Sequence, residues 1–155
     1  MPNAALLHLI TEDIGASEQL LQLIEDEYHA LEARDLERLD VLLGAKLPLL
    51  QQLEQNGRRR SEALRQAGVS DDRAGLTALA AQGRVEAATV ELSERLAALF
   101  EACQQANLRN GRIIRNNQHA TGRLLDILRG QDIPSLYDRR GGATQSNRQR
   151  PLSQA

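Results

Sequence analysis

The sequence predicts an all-α protein: an antiparallel bundle of three long helices with coiled-coil-like packing and a disordered C-terminal tail. The first observation is composition, because 41% of the 155 residues are hydrophobic but only 2% are aromatic. Leu and Ala make up the difference, and both are strong helix formers, whereas β-sheets depend on β-branched and aromatic residues. The second observation is periodicity, because apolar residues alternate three- and four-residue steps in three long segments.

The first segment predicts a helix with Asn3 as its N-cap. Its apolar seam keeps the heptad alternation through Leu7, Ile10, Ile14, Ser17, Leu21, Ile24, Tyr28 and Leu31. Ser17 is the one polar residue in this seam. We therefore expect Tyr28, one of the two tyrosines in the chain, to be a core residue.

The second segment predicts a helix that begins at Leu36, is capped by Asp35 and ends at Gly68. Its seam continues the alternation through Leu36, Leu39, Leu43, Lys46, Leu50 and Leu53. Pro48 lies inside this helix, where proline removes a backbone hydrogen bond and crowds the preceding turn. We therefore expect a kink or break near residues 44–48.

A short helix capped by Ser70 or Asp71 and ending near Ala81 is predicted next. The third long segment runs from Val85 to Ile127, and Gly130 ends it. At ~1.5 Å per residue it spans roughly 65 Å, against roughly 42 Å and 48 Å for the first two. The first and third helices should run parallel. Because the third is longer than the other two, part of its apolar seam is either covered by something else or left open.

These boundaries predict a helical bundle domain over residues 1–130 and a flexible tail over 131–155. The last thirteen residues contain a single Leu, too few apolar groups to offset the entropy of ordering. Within the tail, residues 133–142 form a candidate docking segment.

Composition and motifs argue against several functional classes. The three histidines are far apart, and no nucleophile–base pair or glycine-rich phosphate loop occurs, so we expect no enzyme, cofactor or metal site. The run Arg58–Arg60 contacts phosphate or forms a solvated helix face; the net charge of −2 and the few aromatics argue against nucleic acid. No secretory signal or apolar run of ~18 residues occurs, so a cytoplasmic location without membrane insertion is expected.

The C-terminal part of the third segment holds the candidate binding residues. Asn110 and Asn117 occupy seam positions one heptad apart, where they either fix helix register or line an open groove. The apolar cluster at residues 124–128 continues past a break to Leu136 and Tyr137. If exposed, it would bind a partner helix; the alternative is that Leu136 and Tyr137 fold back and cap the bundle.

Three stretches carry a family resemblance: Asn110-Gly-Arg-Ile-Ile-Arg-Asn-Asn117, Leu124-Leu-Asp-Ile-Leu-Arg-Gly130 and Leu136-Tyr-Asp-Arg-Arg-Gly141. Together they resemble the C-terminal signature of the FlgN family of bacterial flagellar type III export chaperones. The family pattern places Gly after the Leu-Tyr pair, whereas this chain has Asp138. The departure weakens the expectation of a tight turn after Tyr137.

The resemblance implies a cytosolic chaperone that binds the hook–filament junction proteins FlgK and FlgL, prevents their premature assembly and delivers them to the export apparatus. It implies no catalysis and no cofactor. The partner-binding residues it implies are Asn110, Ile113, Asn117, Leu124, Leu125, Leu128, Leu136 and Tyr137. Two alternatives remain open: a non-enzymatic coiled-coil scaffold that dimerises through the last helix, and a nucleic-acid binder.

Overall fold

The computed structural model describes residues 2–128, except for the side chains of Ala120, Thr121 and Leu124. Four helices form in the order α1 (Pro2–Ala33), α2 (Leu36–Gln66), α3 (Arg73–Ala81) and α4 (Ala87–Leu128). No strand occurs in this part of the chain, which confirms the all-α class. The predicted tail, residues 131–155, lies outside the described residues, and the predicted domain boundary stays a prediction.

The chain divides into two compact units, Met1–Gly111 and Arg112–Ala155. In the first unit, α1 and α2 are antiparallel, since Asn56 contacts Asp13 while Lys46 contacts Glu27 further along α1. The first part of α4 is parallel to α1. The Cys103 thiol lies 3.7 Å from the Ser17 carbonyl oxygen, and one heptad later Asn110 contacts Ile24. The predicted bundle is therefore confirmed in this unit.

The predicted N-cap role of Asn3 in α1 is wrong. The helix begins at Pro2, whose fixed φ suits the first helical position, so Asn3 lies inside the helix. The Asn3 Oδ1 atom instead accepts hydrogen bonds from the Glu86 backbone N–H at 3.0 Å and the Thr89 hydroxyl at 2.9 Å. Asn3 thus caps the beginning of α4 from a neighbouring helix.

The turn between α1 and α2 follows the sequence closely. Arg34 adopts a positive φ of 56°, and the Asp35 carboxylate accepts a hydrogen bond from the Arg38 N–H at 3.0 Å as the cap of α2. Helix α2 is continuous through Pro48, so the proline does not break it. A local cap and a local turn are enough to reverse the chain here.

Helix α3 is capped by Asp72, so the predicted caps, Ser70 and Asp71, are both wrong. The Asp72 carboxylate accepts hydrogen bonds from the Gly75 N–H at 3.0 Å and the Ser70 hydroxyl at 2.6 Å. The Ser70 hydroxyl and then the Gly75 N–H hold the pKa of Asp72 below its usual value. Ser70 therefore supports the cap without being the cap itself.

The core of the first unit consists of two apolar clusters. The cluster at the α3 end contains Leu6, Ile10, Ile14, Leu64, Leu76, Leu79, Val85 and Leu96. The second contains Leu20, Ile24, Cys103 and Ala106, with Leu49 and Leu53 of α2 packed against it. Burial raises the pKa of the Cys103 thiol, and the nearby Lys46 ammonium opposes that shift. No aromatic ring belongs to either cluster.

Half of the predicted α2 seam is wrong. Leu36, Leu43 and Leu50 are exposed, and Leu43 retains 52% of its accessible surface, whereas Leu42 retains 1%. Leu39, Lys46 and Leu53 are half-buried. The apolar arc of α2 is wider than one seam, and the other helices cover only the side that carries Leu42 and Asn56.

Ser17 is fully buried, and its hydroxyl has no hydrogen-bond partner. An unpaired buried hydroxyl is destabilising because it loses its hydration without compensation. We expect Ser17→Ala to raise the free energy of unfolding by about 1 kcal/mol, measured by urea denaturation. The matched control is the half-buried Ser93, since the exposed Ser70 supports the cap of α3. Ser93→Ala should change the free energy of unfolding by less than about 0.5 kcal/mol. A loss of stability in Ser17→Ala would contradict this prediction.

Candidate partner-binding surface

The Asn110 side chain joins α4 to α1 by a hydrogen bond. Its side chain is buried, its Nδ2 group donates to the Ile24 carbonyl oxygen at 2.9 Å, and its Oδ1 atom accepts from Arg109 Nε at 3.1 Å. Both polar ends of the amide are therefore satisfied inside the fold, which favours the register interpretation over an open amide. Contact of Asn110 with a partner stays a prediction.

Arg109 adds further contacts between α4 and α1. Its Nη1 group lies 3.3 Å from both carboxylate oxygens of Glu25, and its guanidinium carbon lies 4.1 Å from the centre of the Tyr28 ring. This is cation–π geometry. Tyr28 is half-buried beneath Arg109, so the expectation of a core tyrosine is wrong. A hydrogen bond with Glu32, followed by the charge of that carboxylate, raises the pKa of Tyr28.

The second unit, described over residues 112–128, presents exposed apolar side chains on one line of α4. Ile114, Leu125 and Leu128 are exposed, and Leu128 retains 72% of its accessible surface. Starting from 114, steps of four, three, four and three residues reach 118, 121, 125 and 128, so these positions share one helix face. We call Ile114, Leu125 and Leu128 the apolar line.

The other predicted site residues are distributed differently. Ile113 and Asn117 are half-buried. The side chain of Leu124 is not described, and Leu136 and Tyr137 lie outside the described residues. The predicted residues that are exposed are Leu125 and Leu128, and sequence reasoning missed Ile114. Counting back from Leu128 in heptad steps would have found it.

The same stretch of α4 carries exposed arginines. Arg112, Arg115 and Arg123 are exposed, and none forms an ion pair in the part of the chain that the structure describes. Asp126 is the single acid between residues 112 and 128. At about 100° per residue, Arg115 lies beside the apolar line, whereas Arg112 and Arg123 lie on the opposite face of α4. A cation beside apolar side chains fits an amphipathic helix that carries an acidic flank.

Among residues 2–128, no helix combines the length and the apolarity that crossing a membrane requires. No three His, Cys, Asp or Glu side chains in that range are grouped as metal ligands would be.

Comparison with known proteins decides the family. The family model for FlgN protein matches residues 1–145, nearly the whole chain. The chain belongs to the FlgN family. A crystal structure at 1.48 Å of a Pseudomonas aeruginosa protein, assigned there to flagella synthesis as FlgN, is 57% identical, with a TM-score of 0.63. The match covers 79% of this chain and 94% of that one. No curated protein matches.

Membership of the FlgN family gives the chain a role in bacterial flagellum biogenesis and confirms the resemblance found in the sequence. Its partners accordingly belong among flagellar proteins. FlgN is not a known family of enzymes.

Proposed function

We propose that this FlgN-family chain is a cytosolic export chaperone that binds hook–filament junction proteins of the FlgK and FlgL type. It prevents their premature assembly and delivers them to the flagellar export apparatus. The observation that supports the proposal is the apolar line of Ile114, Leu125 and Leu128, which is exposed and has the exposed Arg115 at its side.

The chemistry of the apolar line suits temporary binding. Each of its three side chains already has part of its surface covered, so burying the rest contributes roughly 1 kcal/mol per residue. A charge-assisted contact to Arg115, which lies beside the line, adds selectivity for an acidic flank. Such a surface holds a helix with moderate affinity, as a chaperone that must release its cargo requires.

Under this proposal, the remaining predicted residues belong to the same client site. Ile113, Asn117 and Leu124 belong to the same stretch of α4, and Leu136 and Tyr137 follow it in the sequence. Under this proposal, Leu136 and Tyr137 are apolar anchors on an arm that closes over the client helix. Asn110 contributes by holding the register of α4 against α1.

The test is a binding measurement on the full chain with a C-terminal fragment of FlgK. The double variant Leu125→Glu/Leu128→Glu should bind at least about tenfold more weakly, because it places two carboxylates where the client buries apolar surface. The matched control is Val41→Glu, which adds a carboxylate at an exposed apolar position of α2 and should leave affinity unchanged. Isothermal titration calorimetry gives both values.

Two results would contradict the proposal. Unchanged affinity in Leu125→Glu/Leu128→Glu would remove the apolar line as the client site. A tight dimer that ignores the client and dissociates in that variant, seen by light scattering, would support the coiled-coil scaffold instead. A separate Leu136→Ala/Tyr137→Ala variant tests the arm.

A further inference from the structure

A second surface lies wholly within the first unit, where residues of α1, α2 and α4 line a groove. The groove there has a volume of about 940 Å³. Leu6 and Ile10 of α1 form its floor, and α2 and α4 form its two walls. The lining is mixed in charge, because acidic side chains alternate there with Arg58, Arg59, Arg60, Arg65 and Arg73. At one end the groove meets the beginning of α3, where Asp72 and Leu76 line it.

The α2 wall continues along the helix as an exposed apolar line. Heptad steps from Ser61 pass through Gly57 and Glu54, which also line the groove, and then reach the exposed leucines. These leucines are Leu50, Leu47, Leu43 and Leu36, and the step between the last two falls on Asp40, so one carboxylate lies within the line. They extend over about 21 Å of helix, and Leu47 retains 53% of its accessible surface.

The α4 wall continues in the same way. Steps of three and four residues from Ala97 reach Phe100 and Gln104, and Leu108 lies one turn further. Phe100, the single phenylalanine of the chain, retains 38% of its accessible surface. Leu53 of α2 and Ala106 of α4 share a core cluster with Ile24 of α1, so the two helices stay adjacent along this stretch.

Short α3 occupies only one end of the bundle. Its Leu76 and Leu79 are buried in the first cluster, beside α1 and α4. A complete four-helix bundle would cover the seam between α2 and α4 along its length with a fourth long helix. Beyond α3, the leucines of α2 and Phe100 of α4 are left without that cover.

The charges along this stretch identify the occupant. Glu37, Asp40 and Glu101 are exposed there, and residues 97–108 of α4 contain no Lys or Arg. The two bases of α2 between residues 36 and 55 face acids of α1: Lys46 lies 3.1 Å from Glu27, and Arg38 lies 4.0 Å from Asp26. Beyond the arginine-lined groove, the uncovered surface over residues 36–50 of α2 and 97–108 of α4 is therefore apolar with acidic side chains.

We propose that the surface formed by residues 36–50 of α2 and 97–108 of α4, which continues the groove away from α3, binds one amphipathic helix of a partner protein, with apolar residues at heptad spacing and Lys or Arg along its flanks. The bound helix takes the position of the missing fourth helix, buries the α2 leucines and Phe100, and places its basic residues near Glu37, Asp40 and Glu101. A second copy of α2 fits poorly because it would bring the same acids together. This site is separate from the apolar line proposed for the client.

The experiment uses the full chain and a labelled synthetic peptide of about three heptads, with Leu at a and d and Lys at e and g. Fluorescence anisotropy should show binding that weakens as salt rises. The same peptide with Glu in place of Lys should bind at least about tenfold more weakly. Leu43→Glu/Leu47→Glu should also weaken binding of the Lys peptide at least about tenfold, whereas Val41→Glu should not.

Phe100→Gln repeats the test from the α4 wall, so the result does not depend on the folding of one variant; circular dichroism checks each. Equal affinity for the Lys and Glu peptides would overturn the proposal. So would full binding to Leu43→Glu/Leu47→Glu, or binding lost only in Leu125→Glu/Leu128→Glu. A self-associated chain that becomes monomeric in Leu47→Glu would also overturn it, because the occupant would then be a second copy. Failure of the client proposal leaves each of these results unchanged.

Discussion

Replacing Asp13 with Ala is expected to lower the free energy of unfolding by about 3 kcal/mol. Asp13 is fully buried in α1, where its carboxylate forms an ion pair with Arg60 of α2 and accepts a hydrogen bond from Asn56 Nδ2 at 2.9 Å. Burial lowers the pKa of the Arg60 guanidinium, which reports the cost of desolvating that cation. Without Asp13, the poorly hydrated Arg60 cation would lose its partner, and the Asn56 amide would keep only its longer hydrogen bond, at 3.3 Å, to Glu12.

The effect lies at the lower end of the range for buried pairs because the Arg60 side chain keeps 19% of its exposure and can still reach water. Urea denaturation measures the change, and an unaltered m-value shows that the unfolding transition is the same. For a domain of this size, about 3 kcal/mol corresponds to a fall of roughly 6–12 °C in Tm.

The matched control is an exposed ion pair within α2. Glu54 and Arg58 lie 2.7 Å apart with most of both side chains in water, so Glu54→Ala should cost less than about 1 kcal/mol. Replacing both buried partners, as in Asp13→Leu/Arg60→Met, should recover most of the loss because no buried charge remains. If Asp13→Ala costs no more than Glu54→Ala, the buried pair does not hold α1 against α2.

The elements that sequence alone predicted well are those set by local chemistry. The Asp35 cap and the beginning of α2 at Leu36 depend on neighbouring residues, and both were found where predicted. The α1 seam was also predicted in part, since Ile10, Ile14 and Ile24 are buried. Leu6 and Leu20 are buried beside them because α1 contacts two long helices, and one heptad seam describes only one contact.

The candidate site was harder to predict because burial depends on which residue lies opposite. Asn110 and Asn117 occupy equivalent heptad positions, yet the amide of Asn110 is buried and bonded to Ile24 while Asn117 is half-buried. The vertical offset between α1 and α4 decides which seam position meets a carbonyl oxygen, and a single sequence does not encode that offset locally. The leucines of α2 were mispredicted for the same reason, because the predicted seam lay along the edge of the surface that the other helices cover.

Gly75→Ala is expected to destabilise the protein by about 3 kcal/mol. A Cβ atom at residue 75 would overlap the Ser70 backbone carbonyl oxygen and lie 2.7 Å from its carbonyl carbon. Backbone atoms cannot rotate away as a side chain can, so the turn before α3 would have to move. That movement would break the Asp72 cap and displace Leu76 from the first core cluster.

Gly44→Ala is the matched control, and it should raise the free energy of unfolding rather than lower it. Gly44 lies on the exposed side of α2 with nothing within 4 Å of an added Cβ, so Ala there adds helix propensity without a clash. The expected gain is up to about 1 kcal/mol. Thermal denaturation of the two variants should therefore move Tm in opposite directions. A Gly75→Ala protein as stable as the wild type would mean that the turn at Ser70 yields freely, and α3 would then not be a fixed end to the α2–α4 groove.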